Sequence, residues 1–228
     1  MNWDIIADAY LGISEDRDKI IFPVLLKYIK EFSPKNLADI GGGDGRFLEL
    51  AFTHFNHNHF SEFALTDSST RMLARAKSRL SNIKNLTICD SHKTLKKHNW
   101  DLVTLIAVWM SLETHEECIN LLSQIKELLS SNGKLFTAVT HPCFRHLNYH
   151  SFSANFDLTN YFESGKKFRV NLYDSIRSLS LWDTHWTLSD HTHQLNSAGF
   201  NIELIEELQD VDNNSEGSPW LVIIASPK

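Results

Sequence analysis

Apolar residues recur along this chain in two alternating rhythms. At Ile20, Ile21, Val24, Leu25, Tyr28, Ile29 and Phe32 they fall three and four apart, the spacing of one helix face. The pattern predicts helix over residues 3–32, with Pro23 either starting a second helix or kinking a single one. Residues 36–40 (Asn-Leu-Ala-Asp-Ile) then read as a short buried strand ended by glycines, and Phe47, Leu48, Ala51, Phe52 and Phe55 form the stripe of the next helix. The alternation repeats with strand 62–66, helix 69–80, strand 86–89, strand 101–108, helix 115–129 closed by Asn132-Gly133, and strand 134–139. From 143 to 187 the rhythm fails and aromatic and polar residues mix, although 168–173 alternates like a strand that 178–186 can pair with. The earlier pattern resumes with helix 188–198, strand 201–208, an acidic turn over 210–217 and strand 220–226.

Strands alternating with amphipathic helices predict an α/β fold: a doubly wound, seven-stranded, mostly parallel sheet with its last strand antiparallel and helices on both faces. The irregular stretch 143–187 reads as a cap inserted between the fifth and sixth strands, and residues 1–33 as an N-terminal helical lid. At 228 residues one domain, 1–228, is expected.

Composition removes several function classes. The longest apolar run, 102–110, is far too short to span a bilayer, so a soluble protein without a membrane partner is expected. The N-terminal segment has acids and no base before Arg17, unlike an export signal. Cys89, Cys118 and Cys143 are odd in number and lack CxxC spacing, which fits reduced thiols in the cytoplasm. A net charge of −6 with short, scattered basic stretches argues against nucleic acid as a partner. Among twelve histidines, His191 and His193 lie two apart on a helix and do not share a face, while His54, His57 and His59 look like loop residues; no metal is expected.

The chemistry concentrates at strand ends. Asp39-Ile-Gly-Gly-Gly-Asp-Gly45 sits where the first strand turns into a helix, so its backbone can turn sharply and approach a ligand beneath a helix N-terminus. In a doubly wound sheet the ligand lies across the carboxyl ends of the strands, and the next two strands end at Asp67 and at Asp90-Ser91. Asp67 is placed to accept from ribose hydroxyls and Asp90 from an adenine amino group, although either acid alone also suits a turn or helix cap. An NAD site fits poorly, because the glycine spacing is not Gly-x-Gly-x-x-Gly.

On Asp39-x-Gly-x-Gly-x-Gly45, on the spacing Asp67, Ser69, Met72, Leu73, Ala76, and on Asp90, the chain resembles the class I S-adenosylmethionine-dependent methyltransferases, small-molecule type, over roughly residues 1–226. The register of Ala76 differs from that of some relatives. The resemblance implies S-adenosylmethionine as cofactor and S-adenosylhomocysteine as product. It implies Asp39 and the Gly41, Gly42 and Gly43 backbone at the methionine moiety, Asp67 at the ribose, Met72 on one face of the adenine, Asp90 with Ser91 at its edge, and Ser68 among the cofactor contacts. Tyr10, as an N-terminal aromatic closing over the cofactor, and Ala107 complete the expected contacts.

Methyl transfer needs alignment of acceptor, methyl and sulfur; a base near neutral pKa helps a weakly acidic acceptor. His141 is the expected general base, because Thr140-His-Pro-Cys-Phe144 follows directly on the fifth strand. Trp109 is expected at the pocket floor, and Tyr149, Trp182, His185 and Trp186 as cap residues walling the substrate. The expected substrate is a small molecule with an oxygen or nitrogen nucleophile, natural-product-like or aromatic, and the protein a monomer or homodimer. Aminopropyl transfer shares the glycine turn but needs an acid past the fourth strand, where Val108-Trp-Met-Ser111 offers none. A catalytically inactive cofactor-binding subunit is the other alternative.

Overall fold

A computed structural model of the protein describes residues 3–13, 15–55, 59–174, 176–210 and 216–228; His57 and most of the acidic turn after Asp210 lie outside them. Helices α1 (Trp3–Ile13) and α2 (Glu15–Phe32) precede β1 (Asn36–Ile40), α3 (Arg46–His54), β2 (Glu62–Thr66), α4 (Thr70–Arg79) and β3 (Leu86–Cys89). Next come β4 (Trp100–Ile106), α5 (His115–Leu128) and β5 (Leu129–Thr140). A separate group, β6 (Phe152–Asn155), β7 (Lys167–Tyr173) and β8 (Ser178–Thr184), is followed by α6 (Leu188–Ser197), β9 (Phe200–Leu208) and β10 (Trp220–Pro227).

The main sheet has the order β3-β2-β1-β4-β5-β10-β9, with β10 antiparallel to both its neighbours. Winding runs outward from β1 in one direction and from β4 in the other, so the crevice outside the ends of β1 and β4 is where such sheets take ligands. Leu37, Ala38, Leu65, Leu102, Val103, Leu105, Phe136 and Ala138 are wholly buried and fix the sheet between its helix layers. Several helix starts are set chemically. Ser69 accepts from Met72 N–H at α4, and Thr114 with Glu117 and Thr187 with Asp190 form capping boxes at α5 and α6. Among the described residues no helix is long and apolar enough to cross a membrane.

Three sequence expectations shift. Pro23 lies inside α2, and the break between helices falls between Ile13 and Glu15 instead. Helix α5 ends at Leu128, so Gly133 belongs to β5: Leu129 pairs with Trp100, and the register against β4 slips before Leu102 meets Lys134. Sheet pairing of two buried residues outweighs the local Asn-Gly cap signal here. His54 closes α3 rather than lying in a loop.

The insertion is a three-stranded antiparallel sheet, β6-β7-β8. Leu172 pairs with Leu179, Val170 with Leu181 and Phe168 with Asp183, so these six share one face. That face joins a small core with Tyr149, Phe152 and Phe156, packed on Ile6 and Tyr10 of α1. Arg145 fastens the cap to the main sheet. Its buried guanidinium donates from Nη2 to Thr140 O at 3.2 Å and from Nη1 to His185 Nδ1 at 2.6 Å, and sits 5.0 Å over the Phe168 ring.

Trp109, in the short 3-10 turn after β4, is 0% exposed, donates from Nε1 to Gln194 Oε1 at 2.7 Å and meets the His191 ring edge-on. Trp109→Phe leaves a buried amide oxygen without its donor. We expect a loss of about 1–3 kcal/mol in denaturant unfolding with unchanged ligand binding in the crevice.

Candidate active site

Asp39 closes β1 at 2% exposure, and Thr104, its neighbour on β4, donates to its Oδ1 at 2.6 Å. Burial pushes its carboxyl up to about 7; the Thr104 hydroxyl opposes that rise and the Asp67 charge adds to it. The chain then leaves the sheet through Gly41, left-handed at φ 71°, with Gly41 and Gly42 N–H both donating to Thr66 O at 2.7 and 3.1 Å. A Cβ on Gly42 would lie 2.5 Å from Asp39 Oδ2. Asp67, at the end of β2, accepts from Gly43 N–H at 2.9 Å and Ser69 N–H at 2.8 Å, and its carboxyl is raised by burial.

These groups border a cleft of about 750 Å³, measured to its open mouth. Of the residues expected to hold the cofactor, Tyr10, Asp39, Gly41, Gly42, Gly43, Asp67, Met72 and Ala107 line it. Ser68, Asp90 and Ser91 do not. Ser68 and Asp90 are exposed, and the Ser91 hydroxyl caps the 3-10 turn His92–Thr94. Capping that turn outside the cleft is thus the local role of the Ser91 side chain.

Sequence reasoning missed Trp3 and Arg17, which also reach the cleft. Arg17 donates to Tyr10 Oη at 2.5 Å and, from Nε, to Asp18 at 2.8 Å. Asp18 pairs with Arg46 at 3.1 Å, Arg46 with Asp44 at 3.3 Å, and Asp44 with Arg79 at 3.0 Å, a chain of alternating charge joining α2, α3 and α4. Only the acid-rich stretch around Arg17 hinted at this. Helix α1 is held across the cleft by Asp4, whose carboxylate accepts from Ser69 Oγ at 2.6 Å, Arg71 N–H at 3.1 Å and Thr70 Oγ1 at 3.0 Å at the start of α4. Those bonds keep the Asp4 carboxyl below the ordinary range.

A second cavity, about 580 Å³ with its mouth, adjoins the first and shares Trp3, Tyr10, Arg17, Ala107 and Ser111 with it. Ala107 holds φ 57°, a left-handed conformation that costs a non-glycine residue about 1–2 kcal/mol. Its N–H bonds to Ala138 O at 2.9 Å, which keeps that kink in place on the wall between the cavities.

None of the residues expected to wall the substrate lines this second cavity. Trp109 and Trp186 are in the main core, and Tyr149 belongs to the cap core with its hydroxyl donating to Phe144 O at 3.2 Å. Trp182 is 55% exposed on the outer face of β8, beside Arg169. His185 accepts from Arg145 at Nδ1 and faces Tyr161 O at Nε2, and burial lowers it to about 4, so it is a neutral structural link. His141 does not serve as expected either. It is 3% exposed, its Nδ1 accepts from Cys143 N–H at 3.2 Å, and its Nε2 lies 2.7 Å from Glu207 Oε1 on β9. Neither nitrogen is left to take a proton from a molecule in the cavities. The cavity instead draws Met110, Thr140, Phe152, Val170, Leu181 and Asp183 to its walls, along with Trp220.

Residues 38–135 match the model of a methyltransferase domain. Among solved structures, the fold is similar to an S-adenosylmethionine-dependent methyltransferase from Clostridium acetobutylicum ATCC 824, with TM-score 0.67 and 12% identity over 96% of this chain and 98% of that one. It is similar also to the CcbJ methyltransferase of Streptomyces caelestis, with TM-score 0.66 and 14% identity over 94% of this chain and 95% of that one. A third, an S-adenosylmethionine-dependent methyltransferase from Mesorhizobium loti, has TM-score 0.59 and 18% identity over 87% and 95%. No curated protein matches the chain. The cleft fits that cofactor: the site of a Cβ on Gly43 is open space, and Asp39 and Asp67 offer acceptors at strand ends. Gly42→Ala drives a methyl into the Asp39 carboxyl and is expected to weaken S-adenosylmethionine binding by about 1–3 kcal/mol or more in calorimetry, with far-UV circular dichroism unchanged. Residues 38–135 thus match a methyltransferase domain, and the chain as a whole has the fold of the S-adenosylmethionine-dependent methyltransferases it is similar to.

Proposed function

We propose that the protein methylates a small molecule held in the apolar cavity beneath the cap. The observation that carries this reading is the adjacency of the two cavities, which share Ala107, Ser111 and the residues of α1 and α2. A methyl group held at that shared wall faces a space roofed by the cap sheet, whereas a protein or RNA substrate needs an open face. Asp39 and the Gly41–Gly43 backbone are assigned to the methionine moiety, Asp67 to the ribose and Met72 to the adenine.

The bound cofactor supplies an electrophilic methyl on a sulfonium sulfur. The protein's part is to align the acceptor with it and to keep water out. Helix α1, fastened by Asp4 to Ser69 and Thr70, closes one side of both cavities and gives Tyr10 its place between them.

With a panel of small aromatic phenols and amines, the purified protein is expected to form S-adenosylhomocysteine; formation with protein or RNA substrates and with no small molecule contradicts the reading. Asp67→Ala is expected to raise the cofactor Kd by an amount equivalent to about 1–3 kcal/mol, the cost of hydroxyls without their acceptor. Because burial pushes the Asp39 carboxyl up to about 7, it is ionised above that pH and neutral below it. The cationic amino group of the cofactor favours the ionised form. Affinity is therefore expected to fall as pH drops through 7, by up to about tenfold per unit, and Asp39→Asn to flatten that slope.

A further inference from the structure

Asp183 stands apart from every other group in the second cavity. On β8 the inward positions are Leu179, Leu181 and Asp183, so a carboxylate takes the next place in an apolar row. It is 6% exposed, lines the cavity, and has no hydrogen-bond partner among the described residues. A buried carboxylate that no donor hydrogen-bonds is costly to maintain, and the Arg145 charge only partly offsets that cost. Thr140, whose Oγ1 is buried without a partner, lines the same cavity, while Phe152, Val170, Leu181 and Trp220 give it nothing but apolar surface. Tyr10, Arg17, Ser111 and Ser151 also line the cavity, and Tyr10 and Arg17 already bond to each other, so Asp183 and Thr140 are the polar groups set among the apolar cap residues, which suits a molecule that is apolar where it meets the cap and protic at one point.

Resting on the small-molecule reading above, we propose that Asp183, assisted by Thr140, selects an apolar acceptor bearing one O–H or N–H group and takes the proton of that group during methyl transfer. The acceptor's lone pair forms the new bond to the methyl carbon, the carbon–sulfur pair stays on sulfur as a neutral thioether, and the acceptor proton passes to Asp183 Oδ. No further reagent is needed. The surrounding charges suit this role. Arg145, stacked on Phe168 opposite Asp183, is a buried cation that favours the carboxylate, while Tyr10 and Arg17 border the same cavity from α1 and α2. His185, bonded to Arg145, stays neutral. Burial pushes the Asp183 carboxyl up to about 7 with Arg145 opposing, so it can both hold and release a proton near neutrality.

The test uses protein loaded with S-adenosylhomocysteine and two matched pairs of probes: 4-ethylphenol with 4-ethylanisole, and 4-ethylaniline with its N,N-dimethyl derivative. Each pair differs in whether a proton can be donated. Binding is read by calorimetry and by the fluorescence of Trp3 and Trp220. The protic member of at least one pair is expected to bind tenfold or more tightly than its capped partner at pH 8. That preference should shrink as pH falls to 6 and vanish in Asp183→Asn, with cofactor affinity unchanged. If Asp183→Asn does not fold, the pH profile of the wild-type preference decides alone. Equal binding of capped and protic members in the wild type, or a preference that survives in the variant and is flat with pH, overturns the role of Asp183 while leaving the cavity as the acceptor site. Failure of all four probes to bind protein that still holds S-adenosylhomocysteine overturns the small-molecule reading, and this proposal with it.

Discussion

The architecture of the site depends on one buried carboxylate. Asp39 lies at the end of the central strand with Thr104 donating to it from β4, and the chain can turn past it only because Gly42 brings backbone within reach of the carboxyl where no side chain fits. That turn delivers Gly43 N–H to Asp67 and Gly41 and Gly42 N–H to Thr66 O, so three hydrogen bonds join the ends of β1 and β2 beside the cleft. At 2% exposure the charged form of this carboxyl is disfavoured, and burial pushes it up to about 7 despite the Thr104 hydroxyl. A cationic group beside Asp39, such as the amino group of the proposed cofactor, favours the ionised form.

Around this point the molecule divides its tasks. The main sheet supplies strand ends in register; the cap and α1 supply walls. Ala107 joins the two, because its left-handed kink turns β4 aside at the place where the cavities meet. The hydrogen bond from Ala107 to Ala138 and the wholly buried Trp109 beyond it hold the kinked segment from below. On the cap side, Arg145 ties β5 to β8 through Thr140 O and His185, which makes the insertion a fixed roof at this edge.

Much of the frame was legible in the chain because its signals are local. Periodicity marked every strand of the main sheet, and the spacing of Asp39, the glycines and Asp67 marked half of the cleft. Residues whose roles depend on tertiary placement were not legible. Arg17 on α2 is linked through Asp18 to Arg46 of α3 and, through Asp44, to Arg79 of α4, groups that no window of sequence brings together. His141 directly follows a strand on the ligand side, yet its ring turns to Glu207 on β9 and away from both cavities. Trp182 and Asp183 show how one position decides: strand alternation sends the tryptophan outward and the carboxylate inward. An acid interrupting the row Leu179, Leu181 was the available signal, hidden because the pairing of β7 with β8 fixes which face is inward. Strand β6 went unseen because Phe-Ser-Ala-Asn carries a single large apolar residue.

The central claim is that the ends of β1, β2 and β4 form the cofactor site and that its reactive end opens toward the cap. A crystal structure with S-adenosylhomocysteine measures this directly. The expected arrangement has the amino acid end of the ligand at Asp39 and the glycine turn, its ribose on Asp67, its adenine against Met72, and its sulfur at Ala107 facing the cavity that contains Asp183. A ligand seated elsewhere, or with its sulfur turned away from Ala107 and the cap, would contradict it.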